Sequence, residues 1–240
     1  MTKTQKFEGV YSVVCTPFKE NLEVDYDAIR RVVDFVIACG GHGFLTTVMS
    51  SEFYTLTDEE HFKIVETIID QANGRVPVVV GTAARSIEHG LLYAKHAQAA
   101  GADAICTTPP VVDTLLHGVP FERARAYFRA INEALEIPVF VQNAPPIGGT
   151  MPASATTDVF VDVWNAFKVG DLEKAQEIQS AAMSFGLYEH IYWSAFNKYV
   201  LKRRGILDCI RIRETAPSLD EMNYAEIDTI YDTMKPYFRI

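Results

Sequence analysis

The sequence lacks the positive charge that binding to nucleic acid requires. Its 240 residues contain 22 Lys and Arg against 31 Asp and Glu, which gives a formal net charge of −9. No stripe of lysine and arginine interrupts this acidic balance, and proteins that bind a phosphate backbone depend on such a basic surface. The composition therefore argues against a nucleic-acid partner and favours small molecules or other protein chains.

Long apolar segments and closely spaced cysteines are also missing. No run approaches the roughly 18 apolar residues that a membrane span needs, and the first residues are polar where a signal peptide would be apolar. The four cysteines, Cys15, Cys39, Cys106 and Cys209, show no CxxC spacing and lie mostly within apolar runs. Reduced, buried thiols of this kind are typical of the cytosol. These absences predict a cytoplasmic protein with no membrane contact.

Motifs for cofactors and metals are absent too. The run Gly40-Gly-His-Gly43 lacks the GxGxxG spacing of a dinucleotide loop and precedes a strand, so it predicts a helix-to-strand turn. His89 and His96 fall on one face of a predicted helix without an apparent third ligand, and we expect both to face solvent. The sequence predicts no cofactor and no metal site.

What the sequence does contain is a regular alternation of short apolar runs and amphipathic stretches. Five runs, at 10–15, 43–48, 76–81, 104–107 and 139–142, are too short for helices and end in polar, Gly or Pro residues. Such runs favour buried strands of a parallel sheet. Asp25, Thr57 and Ser86 stand at predicted helix starts, and Glu60 gives Thr57 a capping-box spacing. We therefore predict an α/β fold containing the first five βα units of a TIM (β/α)8-type barrel.

The alternation stops after Pro146. Helices are predicted at 157–168, 172–185, 187–204 and 220–238, with Gly170, Gly186 and Gly205 as stop signals after the first three. No convincing strand follows residue 145. We expect one structural domain, in which residues 1–150 form the βα units and residues 151–240 form a helical region packed on the barrel.

Four segments in register carry a resemblance to a known family. They are residues 9–18 (GVYSVVCTPF), 51–60 (SEFYTLTDEE), 74–81 (GRVPVVVG) and 100–110 (AGADAICTTPP). Their order and spacing resemble the dihydrodipicolinate synthase and N-acetylneuraminate lyase family of class I, Schiff-base aldolases. Residues 140–145 (FVQNAP) are similar to the branch that acts on 2-keto-3-deoxy sugar acids, and residues 148–153 (GGTMPA) to the turn after the eighth strand of the family.

The resemblance implies a lysine on the sixth strand, whose amine condenses with a keto acid to form an imine. Between Pro146 and Gly149 this sequence passes from just after the fifth strand to just after the eighth, so roughly 65 to 70 residues of a full barrel have no counterpart. The remaining lysines considered, which we expect to be exposed surface charges, are Lys63, Lys95, Lys168, Lys174, Lys198 and Lys202. Either the protein truly lacks three strands, or a longer form of the chain contains them.

The resemblance also suggests a carboxylate-binding loop after the second strand. The Thr-Thr pair of the family corresponds to Met49 and Ser50 here. Ser50 and Ser51 are predicted to bind the substrate, although they could instead only satisfy the backbone of the loop. Thr46 and Thr47 lie slightly earlier, and we interpret them as packing residues.

Gln142 stands where the family has its proton-relay tyrosine. A glutamine cannot act as a general acid near neutral pH, but it can orient a water or a substrate hydroxyl. We therefore predict Gln142 as the catalytic position and Asn143 as a substrate contact, the alternative being that both only stabilise the turn. Thr16, at the end of the first strand, is predicted to position the substrate.

Two functional hypotheses follow. The first is a lyase that dehydrates or cleaves a 2-keto-3-deoxy sugar acid, or a related 2-keto acid, through a lysine imine. The second is an inactive, truncated barrel that binds a keto acid or a partner protein. The family resemblance implies a homo-oligomer, and the aromatic residues Tyr188, Tyr192, Trp193 and Phe196 are interpreted as core or as its interface.

Overall fold

The computed structural model describes residues 7–108, 121–142, 149–213 and 219–240. Within them, short strands alternate with helices through the first two thirds of the chain. The strands are β1 Gly9–Val13, β2 Gly43–Thr46, β3 Val78–Gly81, β4 Ala104–Thr107, β5 Val139–Val141 and β6 Gly149–Thr150. The first five lie at the positions predicted from sequence, and β4 has the predicted bounds. The prediction that all five are buried is wrong for β5, which is largely exposed because it forms an edge of the described sheet.

All strand pairs of the sheet are parallel, in the order β5-β4-β3-β2-β1-β6. The sixth strand contradicts the expectation that no strand follows residue 145: Gly149 pairs with Gly9 and Thr150 with Val10. Two residues have no periodicity that a sequence pattern could reveal, so this strand is defined by its partner. The strand β6 occupies the side of β1 on which the last strand of a closed barrel would pair.

Four helices lie between the strands, and the first three begin at the caps that the sequence indicates. They are α1 Tyr26–Ala38, α2 Asp58–Ala72, α3 Ile87–Ala100 and α4 Phe121–Glu133. Asp25 accepts a hydrogen bond from the backbone of Ala28, and Ser86 accepts one from His89. Thr57 and Glu60 form the complete capping box. These caps satisfy backbone N–H groups that have no partner inside the helix.

The C-terminal region is helical, as predicted, but one boundary is wrong. The helices are α5 Thr157–Lys168, α6 Leu172–Arg203 and α7 Glu221–Met234. Gly186 was expected to end a helix, yet α6 continues through it and breaks at Trp193, whose φ of 41° and ψ of −112° are not helical. Phe185 and Tyr188 are buried on either side of Gly186, so packing overrides the weak preference of one glycine.

Alternate residues of the strands face two different apolar clusters. Phe44, Val78, Val80 and Ile105 join the large cluster under the helices, which also contains residues of α5, α6 and α7. Leu45, Val79, Ala104 and Cys106 join Tyr11 and Val13 in a smaller cluster on the other face. A sheet that is apolar on both faces is typical of parallel α/β architecture. Among the described residues, no helix is long and apolar enough to cross a membrane.

Candidate active site

The ends of β1 and β2 bring three of the predicted site residues together. The hydroxyl of Thr16 donates to the carbonyl oxygen of Ser51 at 2.7 Å, and the hydroxyl of Ser51 donates to the carbonyl oxygen of Val14 at 2.6 Å. Both side chains are buried. The carbonyl oxygen of half-buried Ser50 accepts a hydrogen bond from the hydroxyl of Ser194 at 3.3 Å. These contacts join the loop after β2 to β1 and to α6.

The loop that carries Ser50 and Ser51 has an unfavourable backbone conformation at both ends. Met49–Ser51 forms one short 3-10 turn and Phe53–Thr55 another, and Glu52 between them has a φ of 54°. Thr47 has a φ of 53°, in the left-handed region that a β-branched residue rarely adopts. Its hydroxyl donates to the carbonyl oxygen of Gly81 at 2.8 Å. A Cβ at Gly81 would lie 2.5 Å from the carbonyl oxygen of Thr47, so only glycine permits this close approach.

Gln142 lies away from that cluster. It follows β5, its backbone N–H donates to the carbonyl oxygen of Thr107 at 2.9 Å, and the residue is exposed. The strands β3 and β4 separate β5 from β2 in the sheet. Asn143 lies outside the described residues. The structure therefore brings Thr16, Ser50 and Ser51 into one cluster at the carboxyl end of the sheet and leaves Gln142 further along the same edge.

The prediction that Lys198 is an exposed surface charge is wrong. Its side chain has no exposed surface, and its Nζ lies 2.5 Å from Oε1 of Glu52, which is equally buried. Nζ also donates to the carbonyl oxygen of Arg211 at 2.8 Å and lies 4.4 Å from the centre of the Phe18 ring. A buried ammonium group needs such partners because removal from water is costly. The sequence did hold a signal: Lys198 is the only charge in the run 195–201.

Glu52 ties this lysine to the rest of the C-terminal region. Its second carboxylate oxygen accepts a hydrogen bond from the backbone of Arg213 at 2.7 Å. The guanidinium of Arg213 in turn donates two hydrogen bonds to Glu60, at 2.6 and 2.7 Å. Arg213 holds the pKa of Glu60 below its usual value through these hydrogen bonds. Sequence reasoning missed the role of Glu52, because its partners lie far away in the chain.

The thiol nearest this ion pair is not a ready nucleophile. Burial raises the pKa of Cys15 to about 11, although the charge of Lys198 and a hydrogen bond with Ser154 act in the opposite direction. A thiol with this pKa stays protonated near neutral pH and reacts slowly. Cys15, Cys39 and Cys106 are buried and unpaired, as expected, whereas Cys209 is only half-buried.

The histidines predicted to face solvent lie instead at the interface of α2 and α3. His89 contacts Asp58 at 3.2 Å and His96 contacts Glu66 at 2.9 Å, with 17% and 21% of their side chains exposed. These contacts with carboxylates between α2 and α3 keep both histidines largely buried. Across the described ranges, no group of three or more His, Cys, Asp or Glu side chains is arranged to hold a metal ion.

Lysine chemistry has little support at the carboxyl ends of the strands. In the part of the chain that the structure describes, every lysine lies outside the strands, and the buried one already has three partners. Imine formation needs a lysine amine that is free to attack the ketone. The described residues therefore place no lysine poised for an imine at this edge of the sheet.

These features define a parallel βα barrel architecture with a polar cluster at the carboxyl ends of its strands, the position of active sites in such folds. The family model described as "Dihydrodipicolinate synthetase family" matches residues 6–188. The chain belongs to this family.

Relatives and solved structures agree with that assignment. The chain is 32% identical over 186 residues to the 4-hydroxy-tetrahydrodipicolinate synthase of Rhodopseudomonas palustris strain BisA53, covering 78% of this chain and 58% of the relative. It is 37% identical over 146 residues to the enzyme of the same name from Bradyrhizobium diazoefficiens, covering 61% and 48%. The chain thus spans about half the length of the curated relatives it matches.

Structural similarity extends over most of the chain and supports the fold. YagE, a prophage protein of this family from E. coli K12 crystallised with pyruvate, superposes with a TM-score of 0.85 at 20% identity, covering 95% of this chain and 99% of that one. The dihydrodipicolinate synthase of Rhodopseudomonas palustris gives the same TM-score and identity, covering 95% and 97%. The predicted TIM-barrel fold and family are therefore confirmed.

Proposed function

We propose that this chain binds a small 2-keto acid at the carboxyl ends of its strands and that, alone, it does not turn the ligand over through a lysine imine. The observation that carries this proposal is the placement of the lysines: all those in the described ranges lie outside the strands, and Lys198 is fully engaged with Glu52 and Arg211. Lys3 and Lys6 fall outside the described residues.

The keto-acid ligand is supported by the family and by the site. A 2-keto acid carries a carboxylate, and hydroxyl and backbone N–H groups of loops bind such groups well. Half-buried Ser50 offers a hydroxyl on the loop at the edge of the sheet where ligands of α/β barrels bind, whereas the hydroxyls of Thr16 and Ser51 already donate to backbone carbonyl oxygens and hold that loop in place. The pyruvate named for YagE is itself a 2-keto acid.

The lyase is the second candidate, and a specific residue favours it. Gln142 follows β5 with an exposed side chain, where it could orient a water or a substrate hydroxyl in the dehydration or aldol cleavage of a 2-keto-3-deoxy sugar acid. This reaction requires a lysine from outside the present 240 residues, either from a longer form of the chain or from another polypeptide. The curated relatives are named 4-hydroxy-tetrahydrodipicolinate synthases, and this enzyme name supports a catalytic role.

Two measurements on one sample distinguish ligand binding from catalytic turnover. Titration with pyruvate, followed by NMR of ¹⁵N-labelled protein, should shift the backbone resonances of Ser50 and Ser51, whereas acetone, which has the ketone but no carboxylate, should not. Absence of shifts with pyruvate would refute the binding proposal. Consumption of a 2-keto-3-deoxy sugar acid by the same sample would instead support the lyase.

The proposal includes a homo-oligomer. Met183, Leu187 and Ile191 lie one helical turn apart on α6, with 61%, 60% and 46% of their surface exposed, and an exposed apolar stripe of this kind is typical of an interface. Analytical ultracentrifugation should detect a dimer or larger species that Leu187→Glu dissociates. A monomer at all concentrations would contradict this part.

A further inference from the structure

The loop after β2 depends on the C-terminal helical region for its shape. It has left-handed residues at Thr47 and Glu52, and such residues persist only where surrounding contacts enforce them. Within the loop, the backbone of Ser51 donates to Val48 and that of Glu52 donates to Met49, both at 2.9 Å. These short-range bonds shape the loop, and the hydrogen bonds of Ser51 with Thr16 and Val14 join it to the end of β1.

Two side chains of α6 add a second set of contacts to the loop, from the C-terminal region. Ser194 and Lys198 lie one helical turn apart and both face the loop: the Ser194 hydroxyl contacts the carbonyl of Ser50, and the Lys198 ammonium contacts the carboxylate of Glu52. Both follow the break at Trp193, which changes the direction of the helix. Side chains that are four residues apart on a helix project from the same face. The part of α6 that follows the break therefore contacts the loop at two residues, Ser50 and Glu52.

The ion pair also fixes a third element. Lys198 donates to the carbonyl of Arg211, and Glu52 accepts from the backbone of Arg213. The two charges therefore hold the loop, α6 and the segment 211–213 together at one buried point. An ion pair with no exposure to water holds its two side chains in place, because a movement of either would separate a buried charge from its opposite charge.

We infer that Lys198 is a positioning residue, which acts through its ion pair with Glu52 to hold Ser50 and Ser51 in the orientation that binds the keto acid. This inference rests on the proposed function. Lys198 itself does not touch the ligand or form the imine. The C-terminal region thereby sets the affinity of a site formed by the first two strands.

A purely stabilising role predicts something different, and the chain offers a matched control. Arg204 and Asp158 form a second buried ion pair, with 1% and 0% of their side chains exposed. Arg204 also donates to the carbonyl oxygens of Ala155 and Ile240. This pair joins α5, the end of α6 and the end of the chain, and among the described residues it makes no hydrogen bond or ion pair with the loop after β2.

The experiment compares two double variants in which both charges of a pair are removed, so that no buried charge is left alone. Lys198→Met with Glu52→Gln should weaken pyruvate binding by about tenfold or more, because small displacements of positioning groups are costly. Arg204→Met with Asp158→Asn should leave the affinity within about twofold, since distant sites are usually independent. Thermal unfolding establishes that both variants are folded at the assay temperature. Equal affinities for the two variants would overturn the inference.

A second readout does not depend on the ligand. Hydrogen exchange of the amides of Ser51 and Glu52 should be about tenfold faster in the loop variant and unchanged in the control, because local opening exposes these amides. If the natural chain binds no pyruvate, the proposed function fails, and the exchange rates alone decide whether Lys198 positions the loop. Unchanged exchange in the loop variant would then overturn the inference.

Discussion

Lys198 and Arg204 lie six residues apart in the sequence and form two buried ion pairs that serve different regions. The first pair joins the C-terminal helices to a loop with left-handed residues at the end of β2, whereas the second joins helices and the end of the chain. The guanidinium carbon of Arg204 also lies 4.7 Å from the centre of the Phe35 ring and 4.2 Å from the centre of the Phe238 ring. The comparison indicates that similar buried charges can fix a candidate site in one region and only the fold in another.

The largest expected effect is on stability, and it should be similar for both pairs. Lys198→Met leaves the Glu52 carboxylate buried without its counter-charge, and Arg204→Met does the same to Asp158. We expect each single variant to lower the free energy of unfolding by roughly 3–5 kcal/mol. Denaturant unfolding monitored by circular dichroism provides the measurement.

The matching double variants test whether the isolated buried charge causes this loss of stability. Adding Glu52→Gln to Lys198→Met, or Asp158→Asn to Arg204→Met, should recover much of the lost stability because the unpaired charge is removed. If a double variant is as unstable as its single parent, the isolated charge is not the cause of the loss.

Acid should weaken the fold at a place remote from both pairs. His61 is buried at the interface of α2 and α3, stacked on Tyr93 with a centroid distance of 3.9 Å, and near His89, His96 and Asp58. Burial lowers its pKa to about 3. Because the unfolded chain then binds a proton that the folded chain does not, stability is complete above the ordinary pKa of about 6.5 and falls as pH decreases toward 3.

When the pH is lowered from 7 to 5, the effect of His61 should decrease the free energy of unfolding by about 1–2 kcal/mol. Denaturant titrations at the two pH values measure the difference, and His61→Phe should reduce it. A pH dependence that is unchanged in His61→Phe would show that other groups are responsible.

The smallest expected effects on stability concern two adjacent threonines, both of which the sequence analysis interpreted as packing residues. Within the described residues, the buried hydroxyl of Thr46 has no hydrogen-bond partner, whereas that of Thr47 donates to Gly81. Thr46→Val should therefore raise the free energy of unfolding by about 1 kcal/mol, and Thr47→Val should lower it by about 1 kcal/mol. Thermal unfolding of the two variants, compared with the natural chain, tests both signs.

Local signals explain how much could be predicted from sequence. The bounds of β4 and α5, and the caps at Asp25 and Thr57, follow from composition and spacing over a few residues. The alternation of strands and helices indicated half or more of a barrel, and the family resemblance identified its type. The break at Trp193 did not follow, because it is set by packing between distant parts of the chain.

The candidate site could be predicted only in part from the sequence, because some of its contacts join distant parts of the chain. Motif positions located Thr16, Ser50 and Ser51, which the structure clusters together. The burial of Lys198 depends on a carboxylate that lies 146 positions earlier in the chain. A single lysine in an apolar run hints at burial, but its partner is visible only in three dimensions.

The most direct test of the account is the intact mass of the protein after incubation with pyruvate and borohydride, which reduces any lysine imine to a stable adduct. We expect an unchanged mass in a sample whose NMR spectrum shows pyruvate bound. A mass increase of one reduced pyruvyl group, mapped by peptide analysis to a lysine such as Lys198, would contradict it.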